Sequence, residues 1–175
     1  MSEVRVAKMA ADPQDSLVEL IREAARLHGR FLSVAWPACV EEGLTSPAQS
    51  MVLDAVIRAA EPPTVPRIGR SLGHSRQAIQ RIADDLARAG LVRFVDNAQH
   101  KTAKLVAPTA AGHAMQARIA DRMGGWIVRL AEGLPAGHLE EAVATLRTVR
   151  AGIEDEVRAG QKLKVTRSDL QRKGV

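Results

Sequence analysis

The sequence is poor in aromatic residues and in cysteine. It contains two phenylalanines, two tryptophans and no tyrosine, so aromatic residues make up 2% of its 175 residues. All-β sandwiches and barrels rely on aromatic and β-branched side chains, whereas the alanine, leucine and arginine that dominate here favour helices. A single cysteine, Cys39, excludes an internal disulfide. The composition therefore predicts a mainly α-helical protein.

Long apolar runs, metal-ligand spacings and catalytic motifs are also missing. No run approaches the roughly 18 apolar residues that a membrane span needs, and residues 1–13 lack the apolar core of a secretory signal. The five histidines and Cys39 show no zinc-site spacing. Neither a glycine-rich phosphate loop nor a nucleophile elbow is present. We therefore expect a cytoplasmic protein that has no metal or cofactor and is not an enzyme.

Positive charge is concentrated in two segments of the chain. Residues 62–106 contain eight lysines and arginines against three aspartates, and residues 158–175 contain six against one. Each segment carries +5, and the remainder of the chain carries −5. Localised positive charge favours a polyanionic partner. Because residues 159–175 are basic and poor in apolar side chains, we expect a disordered tail there; residues 1–14 form the opposite tail.

Apolar residues recur at helical spacing towards both ends of the chain. The stripe that starts at Leu17 continues to Ala35, where Trp36 and Pro37 are expected to break or kink it. Similar stripes follow Thr109 and run from Leu139 to Val157. Such faces need a partner, and the same stripe on a second copy would cover them in an isologous dimer. The sequence thus predicts a helical dimerisation region over 15–43 and 109–158.

The central segment, 44–108, contains the order of elements that is typical of a winged helix-turn-helix. A turn with glycine separates two short helices, and a polar tip over 96–102 separates two short strands in a β-hairpin wing. The predicted elements are a helix begun by Ser46-Pro47, a helix over 65–72 capped by Thr64, a turn over 73–75, a helix over 76–89 and strands over 91–95 and 103–107.

The helix over 76–89 presents side chains that suit the major groove of DNA. Arginine can bind guanine and glutamine can bind adenine through two hydrogen bonds each, and in this motif the N-terminal half of the helix contacts the bases. Asp84, which can pair with Arg88 four residues on, limits this surface at the other end. Two alternative interpretations remain: the polar side of this helix could be an ordinary solvated face, and the charged tip of the hairpin could serve only solubility. The candidates are Arg76, Gln77, Gln80 and Arg81 for bases, Ser75, Arg67 and Arg70 for the DNA backbone, and His100, Lys101 and Lys104 in the wing.

The chain resembles the MarR family of winged-helix transcriptional regulators. The segments that carry the resemblance lie at 44–47, 64–73, 75–81, 86–92 and 108–112, and the match extends over about 17–157. The resemblance implies a homodimer that binds pseudo-palindromic DNA, with a recognition helix over 75–89 and a wing over 94–105. Most members are repressors, which small aromatic or lipophilic ligands often release from DNA by binding between the dimerisation and DNA-binding parts.

The wing departs from the family pattern at two places. Phe94 stands where an arginine is common, and Gln99-His100-Lys101 stands where Asp-Arg-Arg is common. The aspartate–arginine pair that stiffens the wing in the family is therefore missing. Contact with the minor groove would depend on His100, Lys101 or Lys104.

Two other functions remain open at this point. The winged helix could be a protein-interaction module, in which case the basic tail would provide only non-specific nucleic-acid affinity. The chain could also be a small-molecule-binding protein or an enzyme that uses the cleft between its two parts, although no catalytic set supports this. We predict a sequence-specific DNA-binding regulator, a repressor rather than an activator, that acts as a homodimer under the control of a small effector.

Overall fold

The computed structural model describes residues 12–98 and 103–160, which form a mainly helical fold with one β-hairpin. Within these residues no helix is long and apolar enough to cross a membrane. The predicted fold class is confirmed. The elements are α1 (Pro13–Glu41), α2 (Pro47–Ile57), α3 (Val65–Leu72), α4 (Arg76–Arg88), β1 (Val92–Val95), β2 (Leu105–Pro108), α5 (Ala110–Ala131) and α6 (Ala136–Arg158).

Helix α1 continues past the proline that was expected to break or kink it. Pro37 lies inside the helix, which ends four residues later at Glu41. An internal proline removes one backbone hydrogen bond, but Ala35 and Cys39 on either side of it are both buried. Burial of these neighbours favours the helical path over an early end, so tertiary packing overrides the local signal.

Side-chain caps start the helices at the positions that the sequence indicates. The hydroxyl oxygens of Ser46, Thr64, Ser75 and Thr109 accept hydrogen bonds from backbone N–H groups in the first turns of α2, α3, α4 and α5. Each cap satisfies one of the four N–H groups that a helix start leaves without an intrahelical partner. These caps fix where the short helices of the central segment begin.

The core lies between the central helices and the hairpin. Leu53 of α2, Ile79 of α4 and Val106 of β2 are fully buried and belong to one apolar cluster. On α4 it is Ile79, and not its neighbour Ala78, that is fully buried. The cluster extends to Ile119 of α5, so the same core anchors the first turns of the long helix.

The hairpin is held to the rest of the winged helix at its base. β1 and β2 pair antiparallel, from Val92 opposite Pro108 to Val95 opposite Leu105. The N–H of Val106 donates to the carbonyl of Pro63 at 2.8 Å, just ahead of α3. The wing base is therefore attached directly to the segment that begins the helix-turn-helix.

Candidate nucleic-acid interface and ligand cleft

A close backbone approach sets the angle between α3 and α4. Gly73 ends α3 in the left-handed conformation with φ of 70°, which glycine adopts without strain. One turn earlier, a Cβ atom on Gly69 would lie 2.8 Å from the carbonyl oxygen of His74. Any side chain at position 69 would push the turn away from α3. Gly69 was not singled out from the sequence, because a glycine within a helix signals this role only when its neighbour is known.

Helix α4 presents the predicted base-reading side chains on its outer face. Arg76, Gln77 and Arg81 are exposed, while Ile79 and Ala83 on the opposite face are buried. Ser75 caps the helix, since its hydroxyl oxygen accepts from the N–H of Ala78 at 3.2 Å. The fold therefore gathers two cations and an amide at the N-terminal half of one helix.

Gln80 differs from its three neighbours because it is half-buried and already paired. Its Nε2 donates to Oδ1 of Asp84 at 2.9 Å. Arg88 forms an ion pair with Asp85 three residues before it, so the expected pairing of Asp84 with Arg88 is wrong. Arg88 pairs with the aspartate three residues before it. Asp84, four residues before Arg88, instead accepts a hydrogen bond from the Gln80 amide.

A groove of about 530 Å³ separates α4 from the wing. Arg76 and Gln80 line one side of the groove, and Phe94 and the exposed Lys104 line the other. Phe94 also packs against the core. Lys104 therefore stands beside the predicted base-reading face, whereas His100 and Lys101 lie outside the described residues.

The predicted backbone contacts on α3 are both exposed. Arg67 and Arg70 extend from the helix that precedes the turn. Together with α4 and Lys104, they give the described part of this surface five lysine and arginine side chains: Arg67, Arg70, Arg76, Arg81 and Lys104.

A second cavity, of about 500 Å³, lies between α1, α2 and α5. Its walls are mainly apolar and include Phe31, Trp36, Ile119 and Met123. The ring of Phe31 also lies 6.3 Å from the ring of Trp126 on α5, centroid to centroid. The cavity thus lies between the terminal helices and the winged helix.

One end of the cleft is polar, which the sequence did not predict. Nε2 of Gln116 donates to Oδ1 of Asp54 at 2.9 Å, and the same oxygen accepts from Nε of Arg58 at 2.8 Å. This contact raises the pKa of Arg58. Oε1 of Gln116 is buried without a hydrogen-bond partner. Asp54 and Gln116 are 62 positions apart, so only the tertiary fold brings them together.

A charge cluster joins the end of α1 to α5. The carboxylate of Glu42 accepts from Nε of Arg118 at 2.6 Å and from Nε of Arg122 at 2.9 Å. These bonds hold the pKa of Glu42 below its ordinary value and raise the pKa of Arg122. The cluster fixes the loop that leads into the winged helix. Among the described residues, no group of histidine, cysteine or carboxylate side chains could hold a metal ion.

The central segment is similar to a described protein family. Residues 42–101 match the MarR family model. Uncharacterised proteins of Mycobacterium bovis and Mycobacterium tuberculosis are 29% identical over 142 residues, which are 81% of this chain and 97% of each relative.

Solved structures show the same architecture over most of the chain. A MarR-family regulator from Silicibacter pomeroyi is 25% identical, with a TM-score of 0.62 over 73% of this chain and 85% of its own. Another from Rhodococcus sp. RHA1 is 23% identical, with a TM-score of 0.62 over 81% and 98%. CouR from Rhodococcus jostii RHA1, bound to p-coumaroyl-CoA, is 24% identical, with a TM-score of 0.61 over 73% and 88%. Residues 42–101 are thus similar to the MarR family, and the chain has the winged-helix fold of solved MarR-family transcription regulators.

Proposed function

We propose that the chain is a sequence-specific DNA-binding repressor that acts as a homodimer and is released from DNA by a small molecule. The observation that carries the proposal is the outer face of α4. Arg76, Gln77 and Arg81 are exposed there, and Gln80 borders the groove beside the wing. An exposed helix with arginine and glutamine in its first two turns suits direct readout in the major groove.

The roles of individual side chains follow from where they lie. Arg76, Gln77, Gln80 and Arg81 would face base edges, while Ser75, Arg67 and Arg70 would contact phosphates near the start of α4. The wing would add Lys104, together with His100 and Lys101. Contacts to phosphates orient the protein, and contacts to bases provide the specificity.

The exposed apolar faces support a dimer. Every large apolar side chain that is exposed in the described chain lies on α1, α5, α6 or the turn between α5 and α6. Contiguous apolar surface of this kind marks an interface, and a self-complementary face gives a two-fold dimer. The dimer would use the helices over 15–43 and 109–158. A two-fold dimer would place two recognition helices on half-sites about 10 bp apart or a multiple of that distance.

The cleft between α1, α2 and α5 supports control by a ligand. Its apolar walls and few polar groups suit a small aromatic or lipophilic molecule. The ligand-bound structure of CouR shows that one protein of this fold holds an aromatic acyl-CoA. A ligand in the cleft of this chain would contact α1 and α5 of the dimerisation region as well as α2 of the winged helix.

The proposal is tested by selecting bound sequences from a random duplex pool at about 150 mM salt, where non-specific contacts weaken. We expect an inverted repeat whose half-sites match the two-fold symmetry of the dimer. Failure to enrich any motif with folded, dimeric protein would contradict sequence-specific regulation by the ligand-free form.

Substitutions then separate the roles on the selected operator. Arg81→Ala should cost about 1–3 kcal/mol of binding free energy and relax specificity at one base position. Lys104→Ala should weaken all sequences alike and reduce the salt slope by about one. Arg88→Ala is the matched control on α4, because Arg88 is paired with Asp85. Identical behaviour of the Arg81 and Lys104 variants would refute the role assignment.

Deletion of residues 160–175 tests the protein-interaction alternative. If the winged helix binds another protein, DNA affinity comes only from the basic tail and disappears with it. If α4 reads DNA, specific binding survives the deletion.

A further inference from the structure

The last turns of α6 lie beside the helix-turn-helix. A groove of about 340 Å³ is formed by α1, α6 and the end of α3 with the turn that follows it. Arg70 and Gly73 line the groove from the helix-turn-helix. Ile153 and Glu154 line it from α6. Because α6 ends at Arg158, about 6 Å further along the helix axis, the chain leaves α6 close to the start of α4.

The residues that follow α6 are strongly basic. Residues 161–175, here called the basic segment, lie outside the described part of the chain. Five lysine and arginine side chains stand there against one aspartate, which gives a net side-chain charge of +4: Lys162, Lys164, Arg167, Arg172 and Lys173 against Asp169. A chain of this length spans at most about 50 Å. The basic segment can therefore reach beyond the surface that α4 presents.

Carboxylates near the end of α6 already have cationic partners. Glu154 and Asp155 each pair with an arginine of α6, at 3.6 and 2.8 Å. On α1, which forms another wall of the groove, Glu19 and Glu23 pair with arginines of that helix. The charge of the basic segment is therefore matched better by an external polyanion than by these carboxylates.

The protein surface nearest to the basic segment is positive as well. Five exposed lysine and arginine side chains belong to α3, α4 and the wing: Arg67, Arg70, Arg76, Arg81 and Lys104. Like charges repel each other in the free protein. A DNA duplex, with one negative charge about every 1.7 Å of its axis, attracts both at once. The two positive parts of the molecule thus suit a single extended polyanion.

We propose that residues 161–175 bind DNA phosphates that flank each half-site, outside the base pairs that α4 contacts. The inference rests on the proposed function and adds a second contact to it, one that does not depend on base sequence. In a two-fold dimer, one basic segment would bind the DNA on each side of the operator. Affinity would then depend on the length of DNA beyond the inverted repeat, whereas sequence preference would not.

The test measures binding of the selected operator in two duplexes. A minimal duplex ends at the inverted repeat, and a long duplex continues for about 15 base pairs on each side, about 50 Å of helix axis. At about 150 mM salt, the full chain should bind the long duplex at least about tenfold more tightly than the minimal one. Deletion of residues 161–175 should remove this difference and leave the Kd for the minimal duplex unchanged.

Substitutions separate the charge of the basic segment from its length. The double substitution Lys162→Gln and Lys164→Gln should reduce the salt slope on the long duplex by about 2–4 for the dimer, since each phosphate contact contributes about 0.9. The matched control, Lys162→Arg with Lys164→Arg, keeps both charges and should keep the slope. Arg147→Gln removes an exposed charge of α6 outside the groove and should also keep it.

Hydroxyl-radical footprinting on the long duplex locates the contact. The full chain should protect the DNA backbone beyond both ends of the inverted repeat. The chain without residues 161–175 should protect the backbone only within the repeat. Identical footprints of the two proteins would overturn the proposal.

The binding measurements give three further results that would overturn it. An equal Kd of the full and shortened chains on the long duplex would mean that the basic segment does not contact DNA. Tighter binding after the deletion would mean that the segment binds acidic faces of its own protein. An equal loss on both duplexes would place the contact within the half-sites. If no operator is selected, the proposed function fails, whereas the salt slopes on a long duplex of arbitrary sequence still measure the phosphate contact.

Discussion

A methyl group added at Gly112 should weaken the junction between α4, the wing and α5. A Cβ atom at this position would lie 2.2 Å from the carbonyl oxygen of Leu91, against the 3.4 Å or more of an ordinary contact. That carbonyl accepts from the N–H and the hydroxyl of Thr109, both at 3.1 Å. Either α5 or the start of the wing must move by more than 1 Å to accommodate the methyl group.

The magnitude follows from three contributions. Loss or distortion of two hydrogen bonds costs about 1 kcal/mol each, and forced overpacking costs about 1–3 kcal/mol. Alanine regains about 1 kcal/mol over glycine through its helix propensity. We therefore expect Gly112→Ala to lower the free energy of unfolding by about 2–4 kcal/mol.

Gly125→Ala on the same helix is the matched control. A Cβ atom there meets only the guanidinium of Arg129, at 3.5 Å. This variant should gain up to about 1 kcal/mol from helix propensity. Urea unfolding followed by circular dichroism, at one fixed protein concentration, measures both variants. If Gly112→Ala is as stable as Gly125→Ala, the close approach does not constrain this junction.

Three further predictions concern acid stability, capping and assembly. Because the pKa of Glu42 is lowered in the fold, its carboxylate stabilises the protein above the ordinary pKa of 4.5, and this stabilisation is lost as pH falls through the folded-state pKa. Glu42→Gln should therefore reduce the loss of unfolding free energy between pH 7 and about pH 3. An unchanged pH dependence would contradict this prediction. Ser46→Ala should cost about 0.5–2 kcal/mol in urea unfolding, because the 3.2 Å cap to Gln49 N–H is lost, whereas Ser46→Asp should retain most of it. Val157→Asp, at a side chain that is 71% exposed in the single chain, should shift sedimentation towards monomer, whereas Arg147→Gln should not.

Local signals predicted most of the fold. A serine or threonine stands directly before each helix from α2 to α5 and caps it: Ser46, Thr64, Ser75 and Thr109. The first helix does not end at Pro37, because burial of the neighbouring residues, which is not visible in the sequence, favours the helical path. Tertiary packing decided the outcome where two signals competed.

The candidate site divides in a similar way. The exposed face of α4 could be predicted from helical spacing, because all the residues that form it lie within one helix. The polar end of the cleft could not, since Gln116 and Asp54 meet only through the packing of α5 against α2. The pairing of Gln80 with Asp84 also went unpredicted, because several i,i+3 and i,i+4 partners compete on one helix face.

The attachment of the wing base has a consequence for how the protein could be switched. The N–H of Val106 is bound to Pro63, and Thr64 pairs with Leu105, so the hairpin and the start of α3 share backbone hydrogen bonding. Opening the wing away from α4 would break these bonds and expose the fully buried Val106. The hairpin and the helix-turn-helix are thus held together as one stiff unit. In the proposed dimer, affinity for an operator would be adjusted by rotating two such units relative to each other. The distance between the two recognition surfaces of that dimer, rather than the shape of either surface, would then determine how well an operator is bound.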